Sequence, residues 1–420
     1  MTESPTQQPN EPLKAGELRR GQAALIRYVA AGAANNALGG STGALFLLSL
    51  GATPFHLGML ATFMQLDKIG RLGGAELMRH TGKGGIMLWG RLLAAPVTAG
   101  LALAAALGIA GEAAIWATIL VLALRGALQQ IGNAAWWPLI RDVTSAGSLG
   151  EFLGRMRSFQ RLLELALPIA VGSWLGERPE PTRFAPLFGM GVIVLLLAAW
   201  WIRSIPERPM PPTQISLWRR VRQVVAVPAI RQFCLYLGIR VFLHSASFPF
   251  WVIVLTERGM PVSQFVWMTS FLAVGQLATL WFWGQLVDRR GPRLALRLPL
   301  VSIVLLAAMW LWLPDGSWSL LIWAAILHLA WGALEAGLQM GQSRVMVDAV
   351  PDDLQGEGFA VVIYASAIGG ALGGLFGGLA FEHVATLGID HADYMALLQV
   401  MTILPLFLCL RFTRRIPKSS

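Results

Sequence analysis

Apolar residues run through this chain in long stretches, and the polar residues gather in short breaks between them. Twelve stretches are read, at about 24–49, 55–77, 85–109, 113–138, 156–176, 184–203, 232–255, 262–287, 294–313, 317–341, 357–380 and 394–412. A helix needs roughly twenty apolar residues to cross a hydrocarbon core of about 30 Å, and such a helix satisfies its own backbone there. The pattern predicts an all-α membrane protein of twelve transmembrane helices. One long polar break, from Ser204 to about Gln232, divides them six and six. Pro206, Pro209, Pro211 and Pro212 stiffen its start, whereas Leu217-Trp218-Arg219-Arg220-Val221-Arg222 suits a segment lying on lipid headgroups. The expected organisation is a tail at 1–22, a half at 23–204, a linker at 205–230, a second half at 231–413 and a tail at 414–420.

Composition narrows the class. Among 420 residues, 55% are hydrophobic and 13% charged, and the mean hydropathy is +0.59. A soluble globular domain carries roughly a quarter charged residues. The net charge of +10 lies in clusters between apolar runs, so the anionic inner surface of a membrane explains it better than nucleic acid does. Placing both termini in the cytoplasm leaves only Arg178, Arg183 and Arg258 of the 33 Lys and Arg residues outside. A multi-pass protein of the cytoplasmic (inner) membrane is expected. The polar first twenty-two residues predict no signal peptide. Cys234 and Cys409 fall in apolar runs and carry no redox information.

The sharpest local signal is Gly284-Gln285-Leu286-Val287-Asp288-Arg289-Arg290-Gly291-Pro292-Arg293, which ends the uncharged run Phe265 to Trp283 in a basic turn. Gly291-Pro292 forbids a continuing helix. The decapeptide resembles the loop signature of the major facilitator superfamily, Gly-x-x-x-Asp-Arg-x-Gly-basic-basic, found between that family's second and third helices and echoed between the eighth and ninth. Gly284, Asp288, Arg289, Gly291 and Arg293 match, while Pro292 replaces the first basic residue. A worn counterpart, Ala75-Glu76-Leu77-Met78-Arg79-His80-Thr81-Gly82-Lys83, lies 209 residues earlier, with Arg79 where the family has its aspartate. Gly126-Ala127-Leu128 with Asp142 recurs as Gly332-Ala333-Leu334 with Asp348 at an offset of 206, and Pro54 recurs as Pro261 at 207. The resemblance implies two pseudo-symmetric halves, with gating by Gly284, Asp288, Arg289, Gly291 and Arg293 and, in the worn copy, Arg79.

Charges inside spans are costly unless paired or facing water. Asp67 and Arg71 stand four apart on one helical face, so a self-satisfied pair is one reading. Lys68 projects about 100° from Asp67 and needs another partner. In the fifth span an Arg161–Glu164 pair is expected, and in the third Arg91 is expected to snorkel. Arg125, Arg240, His244, His328 and Glu335 fall near mid-membrane on spans four, seven and ten. The resemblance assigns those spans to a central cavity, together with span one and its Asn35 and Asn36. Two readings stay open: Arg125 and Arg240 make the cavity cationic, or Arg125 is a structural arginine paired with Glu335.

The stretch Arg125 to Ala135 partly resembles the Arg-x-x-Gln-Gly-x-Gly-Ala-Ala element of proton-coupled exporters. Leu167-Pro168-Ile169-Ala170-Val171-Gly172 departs from the Gly-Pro-x-x-Gly-Gly of drug antiporters. Paired glycines recurring every four residues from Gly369 to Gly378 predict close helix packing. With no phosphate loop, metal cluster or nucleophile elbow in the sequence, no enzyme activity, cofactor or metal is expected. The resemblance implies a secondary transporter working by alternating access, and because the charged cavity candidates are mainly cationic, a small organic, anionic or zwitterionic solute is expected. Arg125, Arg240, Asn35, Asn36, Gln129, His244 and Gln339 are the substrate-binding candidates, and Glu335, Asp67, His328 and Glu164 the proton-coupling ones. An exporter of amphipathic drugs and a non-transporting assembly factor of the same fold are the alternatives. Expected partners are the substrate, a proton or other coupling ion and lipid, without nucleic acid, the chain acting as a monomer.

Overall fold

The computed structural model describes residues 14–144, 149–208, 217–349 and 355–413. The tail segments 1–13 and 414–420, the linker stretch 209–216 with Pro209, Pro211 and Pro212, and the side chain of Asp348 lie outside the described residues. Twelve helical rods follow one another: α1 (15–49), α2 (54–81), α3 (Lys83–Ala106), α4 (Glu112–Asp142), α5 (Leu149–Leu175), α6 (Pro181–Ile202), α7 (Pro228–Glu257), α8 (Val262–Arg290), α9 (Pro292–Trp312), α10 (Ser317–Ala349), α11 (Gln355–Thr386) and α12 (His391–Thr413). A short helix, Leu217–Ala226, connects the two sets of six. Among the described residues nine helices, α3, α4 and α6 to α12, are long and apolar enough to span a bilayer. The other three carry polar groups at mid-length, Asn35 and Asn36 in α1, Asp67, Lys68 and Arg71 in α2, Arg157, Arg161 and Glu164 in α5.

Both copies of the signature turn adopt the same backbone. Gly82 has φ 78° and ψ 168°, Gly291 φ 75° and ψ 170°. A side chain is disfavoured at such φ, so the glycine survives in the worn copy even though the charges around it do not. Each caps one helix and starts the next, and Pro292 occupies the first turn of α9, where a missing N–H costs nothing.

The end of the molecule that carries the connecting helix is called the linker end here, and the opposite end the distal end. At the distal end the halves share one apolar core, in which Phe46, Leu57, Leu175 and Phe184 join Phe250, Trp251, Val266 and Phe381. The backbone N–H of Ser263 donates to the Gly176 carbonyl (3.1 Å), and that of Phe55 to the Glu382 carboxylate (3.2 Å). At the linker end each half keeps its own core, around Leu25, Leu139 and Ile140 in one and Ile230, Tyr236 and Leu296 in the other. The halves meet nearer that end through stacked Trp137 and Phe359 (5.6 Å) and a Tyr364 hydroxyl bond to the Ile69 carbonyl (2.9 Å).

The glycines of α11 form two stripes. A Cβ on Gly369 or Gly373 would lie 2.1 Å from a backbone oxygen of α7, and one on Gly374 or Gly378 within 2.9 Å of α2. One stripe seats α11 inside its own half and the other closes the seam between halves.

α4 loses α-helical regularity in a 3-10 turn at Asn133–Ala135, and α1, α2 and α7 lose it inside their length as well. A π-helical turn spans Asn36–Gly40 in α1, and 3-10 turns span Asp67–Ile69 in α2 and Phe248–Phe250 in α7. Irregular backbone at membrane depth is tolerated where it is buried in protein or lines a cavity, and these turns face the cavity described next.

Candidate functional site

A cavity of about 620 Å³ lies between the halves, lined by both. Asn36 and Gly40 reach it from α1, Gln65 and Lys68 from α2, Arg161 and Glu164 from α5, His244 and Ser245 from α7, and His328 from α10. Asn36 and Gly40 belong to the π-helical turn of α1 and Lys68 to the 3-10 turn of α2. Arg161 is paired with Glu164 and donates to Gln339 Oε1 (3.4 Å). Lys68 donates to Gln65 Oε1 and has no carboxylate partner among the described residues. Gln65 Nε2 donates in turn to Ser245 Oγ (3.2 Å), so the chain Lys68–Gln65–Ser245 crosses from one half to the other.

A side pocket of about 200 Å³ adjoins the cavity within the first half and shares Asn36, Gly40 and Met64 with it. It is lined by Asn35, Asp67, Arg125, Gln129, Gln130 and Asn133. Arg125 is 5% exposed; its Nη2 donates to Asn35 Oδ1 (2.7 Å) and to the Asn35 carbonyl (3.2 Å), and its Nε has no partner. Asn35 Nδ2 donates to Gln129 Oε1 (3.0 Å). Asp67 Oδ1 is buried without a partner.

Several sequence expectations need correcting. Arg240 is not a free cation: its Nη2 meets both Glu335 oxygens, at 3.0 and 2.9 Å, and it lines neither cavity. Glu335 is thereby taken by Arg240 and not by Arg125, because both stand on facing helices of the second half. Asp67 and Arg71 form no ion pair, since the 3-10 turn at Asp67–Ile69 rotates them apart and Arg71 Nε donates to Gln130 Oε1 (2.8 Å). Arg91 does not snorkel. It is 6% exposed and bonded to Tyr28, Gln129 and Asn133 (3.2 Å to Asn133).

His244 stacks on Phe248 (4.7 Å) and Trp331 (5.5 Å), and His328 Nδ1 bonds the Ala324 carbonyl (2.8 Å) within an aromatic shell. At the linker-end turn Asp288 is exposed, and no ion pair or hydrogen bond to a described residue holds it. Arg289 is exposed as well, Gly284 touches Met340 at 3.8 Å from a built Cβ, and Arg79 lies 3.8 Å from Glu76. Arg293 opens α9 directly after the Gly291-Pro292 cap.

Sequence reasoning did not place Lys68, Gln65, Ser245 and the aromatic wall of Phe248, Trp251 and Phe265 in the site. For Lys68 the signal was available: it was the mid-span charge that projects about 100° from Asp67 and needs another partner. The Phe248-Pro249-Phe250 break in α7 was the corresponding signal for the aromatic wall.

Twelve helical rods around a shared polar cavity, nine of them long and apolar enough to cross a bilayer among the described residues, define a membrane protein with the architecture of a transporter. The sequence profile of the Major Facilitator Superfamily matches residues 29–374, and the chain belongs to that family of transporters. Comparison with curated proteins by sequence gives no match. Solved structures share the fold. One is a POT family transporter in complex with 5-aminolevulinic acid, at 14% identity and TM-score 0.70, covering 95% of this chain and 97% of that one. Another is a D-xylose-proton symporter, at 12% identity and TM-score 0.68, covering 92% and 97%. A bacterial homologue of the human lysosomal transporter Spinster, inward-facing and unoccupied, matches at 14% identity and TM-score 0.68, covering 96% and 97%.

Proposed function

We propose that this protein carries a small organic anion across the cytoplasmic membrane by alternating access of its two halves, 23–204 and 231–413, about the linker 205–230. The observation that carries the reading is Lys68, a cation in the cavity between the halves that forms no ion-pair contact with a carboxylate among the described residues, Asp67 of the adjoining side pocket acting on it without such a contact. A charge at that depth is costly, and an anionic solute relieves the cost only while it is bound. Arg161 and Glu164 cancel beside it, and Arg125, Asn35, Asn36, Gln129 and Gln339 supply surrounding amide and guanidinium groups. By the positive-inside rule the linker end is cytoplasmic. The distal end, where the halves share a core, is then the closed outer side, and the state described is inward-facing.

The Lys68–Gln65–Ser245 chain crosses the seam, so an anion at Lys68 makes different contacts in each state. Such differential binding is the requirement for shifting the population between states. Glu164 is the coupling carboxylate this arrangement favours over Glu335, which Arg240 occupies. A proton on Glu164 releases Arg161 as a second cation facing the substrate, which links proton binding to anion binding with positive coupling. In the inward-closed state Asp288 meets Arg155 and Arg157 at the start of α5, closing the linker end.

Thermal-shift measurements on the purified chain against a panel of organic anions, cations and neutral solutes at several pH values test the reading. Anions raise the melting temperature, more at lower pH, because a bound ligand stabilises by mass action. Stabilisation confined to cations or neutral solutes would remove the anion assignment.

A further inference from the structure

The lining of the central cavity changes along its length: its charged groups gather toward the linker end and most of its large apolar side chains toward the distal end, where His328 lies against Trp251 and Phe265. Lys68, Gln65, Arg161, Glu164, His244 and Ser245 all lie on the linker side, whereas Leu57, Leu60, Val171, Val252, Phe265 and Val266 lie on the distal side. The separation follows from helix rise. Leu57 is about 16 Å from Lys68 along α2, Val171 about 10 Å from Glu164 along α5, and Val252 about 12 Å from His244 along α7, at 1.5 Å per residue. Phe248, Trp251 and Phe265 form an aromatic wall on the distal side, and the shared distal core closes the space above it.

We propose that the substrate is an amphipathic organic monoanion, a carboxylate on an aromatic or aliphatic body, seated with its head at Lys68 and its body under the distal roof. The proposal rests on the reading of this cavity as the substrate site and specifies what fills it. Arg161 and Glu164 offset each other, so the charged lining carries an excess of one positive charge. While Glu164 is ionised and paired with Arg161, a monoanion balances that excess, whereas a dianion leaves a buried charge uncompensated.

The remaining volume is walled mainly by Leu, Val, Phe and Trp side chains. A polyhydroxylated solute would find few partners for its hydroxyls there beyond the Trp251 indole N–H, His328 and Thr269, and unpaired polar groups are expensive to bury. A volume of about 620 Å³ suits an organic ligand of this kind, since small-molecule sites run from about 300 to 1,000 Å³. The head sits where Lys68–Gln65–Ser245 joins the halves, and the body sits against the core that holds the distal end closed. An amphipathic anion therefore touches both elements that must rearrange.

Matched probes on the purified full-length chain test the inference without any variant. Indole-3-acetate and hexanoate are compared with indole-3-ethanol, tryptamine, glycolate and inorganic phosphate, by melting temperature and by titration. The two amphipathic monoanions stabilise in a saturable way at millimolar concentration or below, and the other four do not. Lys68→Gln weakens indole-3-acetate roughly tenfold or more, the loss of a bond to a charged group, and Lys68→Arg retains binding. Phe265→Ala weakens it as well.

Glycolate or phosphate stabilising as strongly as indole-3-acetate overturns the inference while leaving the anion-transport reading intact. Indole-3-ethanol or tryptamine binding as tightly overturns both. No stabilisation by either amphipathic monoanion also overturns the inference, and an anion of another kind that binds would then keep the broader reading.

Discussion

The two halves hold their buried arginines by opposite means. In the first half Arg125 is held by Asn35, Arg91 by Tyr28, Gln129 and Asn133, and Arg71 by Gln130. In the second, Arg240 is held by the Glu335 carboxylate. Amide and phenol oxygens satisfy a guanidinium's donors without cancelling its charge, whereas a carboxylate does both. The first half thus keeps positive potential next to the cavity and the second is close to neutral. Lys68 belongs to the first, which places the anion-attracting side of the site on α2.

Breaking the carboxylate pair gives the largest expected effect. Glu335→Ala strands Arg240 and lowers stability by about 3–5 kcal/mol, while Arg240→Met with Glu335→Leu recovers most of it. Melting temperatures of the single and double variants measure this, and a single variant as stable as the parent would show that the pair is dispensable. The amide-held arginine responds less. Asn35→Ala removes a hydrogen bond to a charged group and costs about 1.5–3 kcal/mol, and in an Arg125→Leu background the same substitution costs much less. Arg125→Leu and Glu335→Ala should add independently in a double-mutant cycle, since they share no partner. A coupling between them above about 0.5 kcal/mol would contradict the pairing described here.

The smallest stability effect is expected at the two signature turns. Asp288→Asn and Arg79→Gln are exposed substitutions that change stability by no more than about 0.5 kcal/mol. They differ in conformational effect: Asp288→Asn raises the labelling of cysteines placed at the linker end of the cavity, and Arg79→Gln leaves it unchanged. Equal labelling in both variants would remove the asymmetry between the turns.

The spans α3, α4 and α6 to α12 were legible because each is apolar enough for lipid whatever it packs against. Where sequence boundaries fell short, as at α1 (24 against 15) and α5 (156 against 149), the helix runs on past the apolar stretch. Hydropathy reads lipid exposure, and a helix extending into a polar environment leaves no trace in it. The Gly291-Pro292 turn was readable for a different reason: its φ of 75° admits few residues other than glycine. The Arg161–Glu164 pair lies three apart on one helix, within reach of local geometry.

The chain by itself determined the succession of helices, the positions of both turns and the inventory of mid-membrane charges, because these depend on local composition and on spacing along single helices. Which charge meets which partner was decided by tertiary structure. The Arg240–Glu335 pair joins residues 95 positions apart, and Arg125 reaches Asn35 across 90. The rotation that separates Asp67 from Arg71 comes from a 3-10 turn facing the cavity. A mid-membrane charge takes whatever partner helix packing brings within about 3 Å, and among the described residues that packing brought Arg240 a carboxylate and Lys68 the Gln65 amide.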